Sequence, residues 1–184
     1  MKQWEEWQKP YQSGTIVIRP PSQVRAVVDA QRKKYDPVSH QYSETHISVT
    51  QPLLGKLAES EWDHLQNLLA DIKPFQIDYG PLNSFLPYPC IWYEIEPRDQ
   101  ILALRKTLHQ TGYFNLGIRH PENFIPHMTI TEGLSGPTVD DRLLLKLKEE
   151  SGTGSFQCED LVLIVPDGDF HFHVRRRLAL GLSP

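Results

Sequence analysis

Two stretches of the chain carry the same arrangement of imidazole and hydroxyl side chains. The segment THISVTQPL runs from Thr45 to Leu53, and PHMTITEGL runs from Pro126 to Leu134. Each has a histidine, a hydroxyl residue two positions later, and a threonine two positions after that. The six residues are His46, Ser48 and Thr50 in the first segment and His127, Thr129 and Thr131 in the second.

Two histidines suit acid–base chemistry because an imidazole titrates near neutral pH, at about 6.5. One imidazole can take a proton from a nucleophile while the other protonates the leaving oxygen, and each transfer contributes about 10²–10⁴ in rate. Hydroxyls at Ser48 and Thr129 can donate hydrogen bonds to the non-bridging oxygens of a phosphate between the imidazoles. The pattern therefore favours a metal-free site for phosphodiester transfer or cyclic-phosphate opening. His46 and His127 are its candidate catalytic residues.

The residues around each histidine predict a β-strand, because β-branched residues recur at alternate positions. Successive side chains of a strand point to opposite faces of the sheet. Each strand should therefore turn its imidazole and hydroxyls to one face and its apolar residues to the other. The apolar residues are Ile47 and Val49 in the first strand and Met128 and Ile130 in the second.

The elements that must position these strands also repeat. Hydrophobic periodicity, proline and glycine predict the order strand, helix, strand, helix, strand, and then the same order again. The two histidines are 81 positions apart (127 − 46), as are Phe75 and Phe156 at the start of FQID and FQCE (156 − 75). We predict an α+β fold that is bilobal and pseudo-two-fold with a central cleft, in a single domain over 1–184. Its halves would span roughly 14–80 and 90–180.

Composition excludes several functional classes. The formal charge of −4 argues against a polybasic surface for nucleic acid or membranes. No apolar run approaches the ~20 residues of a membrane span, and the first residues have no signal-peptide pattern. The two cysteines, Cys90 and Cys158, match no metal or redox spacing, which favours buried free thiols in a reducing compartment. We expect a cytoplasmic monomer without membrane contact.

Two His-x-Ser/Thr-x motifs about eighty residues apart, on strands of such a fold, resemble the 2H phosphoesterase superfamily. That superfamily includes the 2'-5' RNA ligase-like proteins and the cyclic phosphodiesterases. The sequence GPLNSF before a strand and the proline before the second histidine are also similar to the family. The resemblance implies that His46 and His127 are the catalytic histidines and that Ser48 and Thr129 bind the phosphate.

The chain departs from the family pattern at two places. Ser48 stands where threonine is more usual, which keeps the hydroxyl but loses the stiffness of a β-branched side chain. RNA-acting relatives often carry a basic residue after the second motif, whereas Glu132 follows Thr131 here. This favours a small nucleotide over a long RNA, and Arg119 is a candidate to supply the missing charge. Phe85 and Tyr88 are further candidates for the cleft, as are Thr50 and Thr131.

The resulting hypothesis is a metal-independent phosphoesterase without a cofactor. It would act on 2',3'-cyclic phosphates or 2'-5' linkages of a nucleotide or an RNA end. The alternative is a nucleotide-binding module on the same fold that does not turn over its ligand. Metal-dependent hydrolysis is disfavoured because hydroxyls, and not carboxylates or cysteines, accompany the two histidines. His171, His173 and the run Arg175–Arg177 are interpreted as solvated strand faces.

Overall fold

A computed structural model describes residues 4–118 and 124–181. It contains a short 3-10 helix at Lys9–Ser13. Five α-helices follow: α1 Ser22–Tyr35, α2 Pro37–Tyr42, α3 Glu59–Ala70, α4 Arg98–His109 and α5 Asp141–Glu150. The strands are β1 Thr15–Ile18, β2 Ile47–Ser48, β3 Phe75–Ser84, β4 Ile91–Glu96, β5 His127–Thr131, β6 Gly154–Cys158, β7 Asp160–Pro166 and β8 Phe172–Ala179.

The strands form one curled antiparallel sheet in the order β6-β3-β4-β5-β2-β1-β7-β8. The histidine strands β2 and β5 lie side by side at its centre, flanked by β1 and β4, respectively. This confirms the predicted α+β fold with its two-fold relation between the histidine strands. The segments 14–80 and 90–180 each contribute strands to both halves of the sheet, on either side of the β2–β5 pair. This is because β3 pairs with β4, whereas β7 pairs with β1.

The equal spacing of FQID and FQCE has a different structural meaning from that of the histidines. Phe75 and Phe156 lie on β3 and β6, which are neighbours in the sheet and pair with each other. The strand that matches β3 across the centre of the sheet is β7, because each is third from the β2–β5 junction on its own side. The two FQ segments therefore do not occupy symmetry-related positions.

The core lies between one face of the sheet and the helices. Ile47, Val49, Met128 and Ile130 are fully buried there, as the alternation of the two strands predicts. The stripes Ile101–Leu104–Leu108 of α4 and Trp62–Leu65–Leu69 of α3 are buried in the same core. Because side chains alternate along a strand, the histidine and hydroxyl side chains beside these apolar residues point to the opposite face of the sheet.

After α5 the chain forms three consecutive strands, because β6 pairs with β3 before the chain enters β7. Helix α5 is capped by the carboxylate of Asp140, which accepts from the Leu143 amide at 2.9 Å. Within the described residues, no helix has the length and apolarity needed to span a membrane.

Candidate active site

Four polar side chains form a square where β2 meets β5. Ile47 lies opposite Met128 in this antiparallel pair. The register therefore sets His46 opposite Thr129, and Ser48 opposite His127, all on the face away from the core. The two imidazoles stand on one diagonal and the two hydroxyls on the other. Diagonal positions in an antiparallel pair are about 7–8 Å apart, which leaves room for a small group between the imidazoles.

Both imidazoles are held in the same way. Nδ1 of His46 lies 2.8 Å from the carbonyl oxygen of Glu44, and Nδ1 of His127 lies 2.6 Å from that of Ile125. In each case the partner is the carbonyl two residues earlier. Because a carbonyl can only accept, Nδ1 carries the proton, and in the neutral ring Nε2 keeps its lone pair. Each histidine is thus fixed in the tautomer that leaves Nε2 available for proton transfer.

The surroundings of both histidines disfavour their charged forms. Burial lowers the pKa of His46 to about 4; the hydrogen bond to Glu44 opposes this shift, and the positive charge of Arg32 adds to it. Burial also lowers the pKa of His127, against the opposing effect of its hydrogen bond to Ile125. Both imidazoles are therefore neutral at pH 7 in the free protein.

Aromatic rings hold His127 from one side. The Phe85 ring meets the imidazole edge to face, with centroids 5.2 Å apart, and the Trp92 centroid is 5.6 Å away. Phe85 itself is stacked on Trp92 at 4.8 Å. Trp92 is on β4 directly opposite Thr129. This packing leaves the His127 ring little freedom to rotate.

A cleft of about 870 Å³ opens over the square, within the ~300–1,000 Å³ typical of small-molecule sites. His46, Ser48, His127 and Thr129 line it, together with three of the other predicted residues: Thr50, Phe85 and Tyr88. Arg119 lies outside the described residues. The structure therefore gathers seven of the nine sequence candidates around one cavity.

Thr131 is not part of the cleft wall, contrary to the prediction. It is fully buried, and its hydroxyl donates to the Asp36 carboxylate at 3.2 Å. Asp36, also fully buried, holds the loop after β5 by accepting further bonds. Their donors are the amides of Glu132 and Leu134 and the hydroxyl of Ser135. Thr131 is thus bound to Asp36 at the start of α2, and it helps to fix the end of β5.

Two arginines that the sequence pattern did not single out lie in the cleft wall. Arg32 of α1 is 3% exposed and donates to the Thr129 carbonyl at 2.9 Å. Arg105 of α4 donates to the Val49 carbonyl at 2.8 Å and lies over the Phe124 ring at 4.1 Å. Each histidine strand is therefore braced by a guanidinium from a helix. Burial lowers the pKa of both arginines, and both give the cleft a positive potential that suits an anionic ligand.

Glu132 contributes the opposite charge to the cleft wall. Its pKa is raised, chiefly by the loss of solvation and also by the charge of Asp36, although Arg32 opposes the shift. Cys90 is a buried free thiol nearby, as predicted, and burial raises its pKa to about 12. A thiol with such a pKa is not a nucleophile at neutral pH.

The far end of the cleft is aromatic. Phe170 lies at the centre of edge-to-face contacts with the rings of Trp4, Trp7, Tyr11, Tyr42 and Phe172, at centroid distances of 5.1–6.3 Å. It has a positive φ of 68°, a conformation that disfavours a bulky residue. The surrounding rings hold it there. Sequence reasoning could not find this cluster because its members come from distant parts of the chain.

No three His, Cys, Asp or Glu side chains among the residues that the structure describes are grouped so that they could hold a metal ion.

Comparison with known proteins identifies the family of the chain. The family model described as the 2'-5' RNA ligase superfamily matches residues 20–170, which is more than half of the chain. The chain therefore belongs to the 2'-5' RNA ligase superfamily. It is 26% identical over 170 residues to a protein of Bacillus thuringiensis (strain Al Hakam) named "Putative phosphoesterase", covering 90% of this chain and 96% of that one.

Solved structures show the same fold. LigT of E. coli, in a crystal structure of its complex with 3'-AMP, has a TM-score of 0.60 and 17% sequence identity. The match covers 93% of this chain and 99% of LigT. The protein TT0787 of Thermus thermophilus gives a TM-score of 0.58 at 18% identity, covering 91% of this chain and 97% of TT0787. These likenesses confirm the predicted 2H phosphoesterase-like fold.

Proposed function

We propose that this protein is a metal-independent phosphoesterase that acts on 2',3'-cyclic phosphates or 2'-5' phosphodiester bonds of nucleotides or RNA ends. The observation that carries the proposal is the square of His46, Ser48, His127 and Thr129, in which both imidazoles keep Nε2 free above one cleft. The family of the chain and the 3'-AMP complex of LigT support a nucleotide substrate.

The chemistry needs one neutral and one protonated imidazole. In cyclic-phosphate opening, Nε2 of the neutral histidine takes a proton from water as the water oxygen bonds to phosphorus. The bond from phosphorus to one ribose oxygen breaks, and the protonated histidine gives its proton to that oxygen. Ser48 and Thr129 donate hydrogen bonds to the non-bridging oxygens as their charge grows. The roles of the two histidines exchange when the reaction runs backwards.

A second candidate is a nucleotide-binding module without turnover. It is favoured by the low pKa of His46, since neither imidazole holds a catalytic proton at pH 7 in the free protein. An anionic phosphate between the rings would stabilise the imidazolium and raise the pKa of the pair. At neutral pH a phosphoesterase would therefore obtain its protonated histidine only when the substrate binds, whereas a binding module needs no protonated histidine.

The experiment that tests the function is a screen with EDTA present throughout. Substrates are nucleoside 2',3'-cyclic phosphates, 2'-5' dinucleotides and RNA ends bearing a cyclic phosphate. We expect product from at least one class, at a rate that chelation does not change. Binding without product from any of them would favour the module. Activity that is lost on chelation and restored by added zinc or magnesium would contradict metal independence.

The pH dependence of kcat/KM follows from the lowered pKa values. This parameter reports the free enzyme, in which the pair must hold one proton. As pH falls from 8, that state becomes populated only near the upper pKa of the pair, which lies below the ordinary 6.5 of histidine. Below the lower pKa both rings are charged and the base is lost. We therefore expect a bell with its maximum below pH 6.5, measured by initial rates at low substrate. A flat profile, or a maximum above pH 7.5, would count against the pair.

Removal of either hydroxyl should lower the rate without moving that bell. Ser48→Ala or Thr129→Ala deletes a donor to a charged phosphate, a change expected to reduce kcat/KM about ten- to a hundredfold. Neither hydroxyl titrates in this range, so the pH of the maximum should stay constant. Ser48→Thr and Thr129→Ser keep the hydroxyl and serve as matched controls. Alanine variants as active as these controls would show that the hydroxyls do not bind the reacting phosphate.

A further inference from the structure

A second, smaller cavity adjoins the cleft at His46. This side pocket has a volume of about 250 Å³ and is lined by Arg19, Glu44, His46, Phe172, His173 and Arg177, among others. His46 and Phe172 line both cavities. The side pocket and the cleft therefore adjoin at His46 and Phe172.

Positive charge exceeds negative charge around the side pocket. Glu44 pairs with Arg19 and also lies 3.5 Å from Arg25, so one carboxylate serves two guanidinium groups. Arg177 pairs with Asp160 at 2.7 Å, yet its side chain remains 58% exposed. The pKa of Arg25 is lowered by burial and by the charges of Arg19 and Arg177, whereas the charges of Glu44 and Asp29 oppose the shift. The pocket lining itself contains two guanidinium groups and one carboxylate, so an anion would meet a net positive charge there.

The strand β8 directs only one of its three consecutive arginines to this place. Arg176 points to α3, where it pairs with Glu59 at 2.8 Å and lies over the Trp62 ring at 5.0 Å. Arg177 lines the side pocket. Arg175 lies at an irregularity in the pairing of β7 with β8, between the partners of Leu163 and Ile164. It is exposed and does not line the pocket. The chain thus offers a matched control two positions away on the same strand as the residue of interest.

We propose that the side pocket binds a second phosphate of the substrate, with Arg19 and Arg177 as its donors. The inference rests on the proposed function and names its substrate class. One ribose separates the 3' and 5' phosphates of a nucleotide. With the reacting phosphate between the imidazoles, the 5' phosphate would pass His46 and enter the side pocket. The preferred substrate is then a cyclic phosphate that also carries a 5' phosphate, either free or as the link to a preceding nucleotide. The small volume and the two arginines of its lining suit a single phosphate.

Calorimetric titration of two nucleotides tests the pocket independently of turnover. Adenosine 3',5'-bisphosphate should bind the wild-type protein at least about tenfold more tightly than adenosine 3'-monophosphate, since the added phosphate gains hydrogen bonds to charged donors. Arg177→Ala should reduce this advantage severalfold, and Arg175→Ala should leave it unchanged. Arg177 is exposed enough that its loss should not unfold the protein, and circular dichroism of each variant verifies this. Equal affinity for the two nucleotides in the wild type, or equal losses in both variants, would overturn the proposal.

Free phosphate is the other source of the same chemistry, and a second titration separates the two. Inorganic phosphate is added to the complex with the 3'-monophosphate and to the complex with the 3',5'-bisphosphate. Binding to the first complex alone supports a pocket that the substrate's own phosphate fills. Binding to both complexes, with no advantage for the bisphosphate, would assign any phosphate site elsewhere and overturn the proposal.

Turnover assays distinguish this proposal from the proposed phosphoesterase activity on which it rests. Hydrolysis of adenosine 2',3'-cyclic phosphate without any gain from a 5' phosphate would refute the side pocket and leave the phosphoesterase standing. Tighter binding of the bisphosphate without turnover of any substrate would support the side pocket and refute the phosphoesterase. If neither nucleotide binds, both proposals fail.

Discussion

Replacement of either His46 or His127 by alanine is expected to lower turnover by about 10²–10⁴, the usual contribution of one general acid or base. Each change removes the Nε2 that would transfer a proton in the cleft, while the apolar residues beside it, Ile47 and Met128, stay in the core. The protein should therefore remain folded. Initial rates with the best substrate from the EDTA screen, together with a thermal unfolding curve for each variant, provide the measurement.

The double variant sharpens this test. Residues that act as one unit have strongly non-additive effects, so His46→Ala combined with His127→Ala should lose little more than the worse single variant. His64→Ala is the matched control, since His64 lies on α3, outside the cleft, with Nδ1 3.0 Å from the Tyr113 hydroxyl. A His127→Ala enzyme with near-normal turnover, free of contaminating activity, would remove the histidine pair from the mechanism.

The central part of this arrangement could be predicted from the sequence because it depends on a period of two. Alternation along each strand fixes which side chains share a face, and the duplicated motif predicts two such strands in one cleft. Ile47, Val49, Met128 and Ile130 are buried as that argument requires. Thr131 shows its limit. The alternation predicts its hydroxyl in the cleft, but the hydroxyl binds the buried Asp36 carboxylate, a contact that only the tertiary structure reveals.

The rest depends on contacts between distant segments. Nothing local in the sequence marks Arg32 as different from Lys33 or Lys34, yet Arg32 alone of these three is buried and reaches across to β5. The same holds for Phe170, whose ring neighbours include residues more than a hundred positions away. The equal spacing of Phe75 and Phe156 misleads for a related reason, because equal offsets do not say which strands pair.

Arg32 supports the largest predicted effect on stability. Its Nη1 donates to the Thr129 carbonyl, and its Nη2 lies 3.2 Å from the Ser39 carbonyl, the Ser39 hydroxyl and the Ser43 carbonyl. The nearest carboxylate is that of Asp29, at 3.8 Å from Nε. One buried guanidinium thus connects α1, α2, the segment before β2, and β5. Its removal leaves several buried acceptors without a donor.

We expect Arg32→Met to lower the free energy of unfolding by about 3–5 kcal/mol, the usual cost of removing one partner from a buried charged cluster. Methionine keeps much of the apolar volume, so the loss reports the hydrogen bonds and charge more than a cavity. Urea denaturation measures it. Lys33→Met, one residue away on the exposed side of α1, should change stability by no more than about 0.5 kcal/mol. An Arg32→Met protein within about 1 kcal/mol of the wild type would contradict this account.

The same substitution also tests the electrostatics of the site, with a readout that a merely structural role would not move. The positive charge of Arg32 lowers the pKa of His46, so its removal should raise that pKa from about 4 towards the ordinary histidine value. NMR titration of the imidazole, under conditions where the variant is folded, follows the change directly. Because burial is the larger cause of the shift, the pKa should rise only part of the way. The free enzyme then holds its catalytic proton at higher pH. The pH at which kcat/KM is highest should therefore increase as well. An unchanged His46 pKa in folded Arg32→Met would mean that Arg32 braces β5 without tuning the histidine.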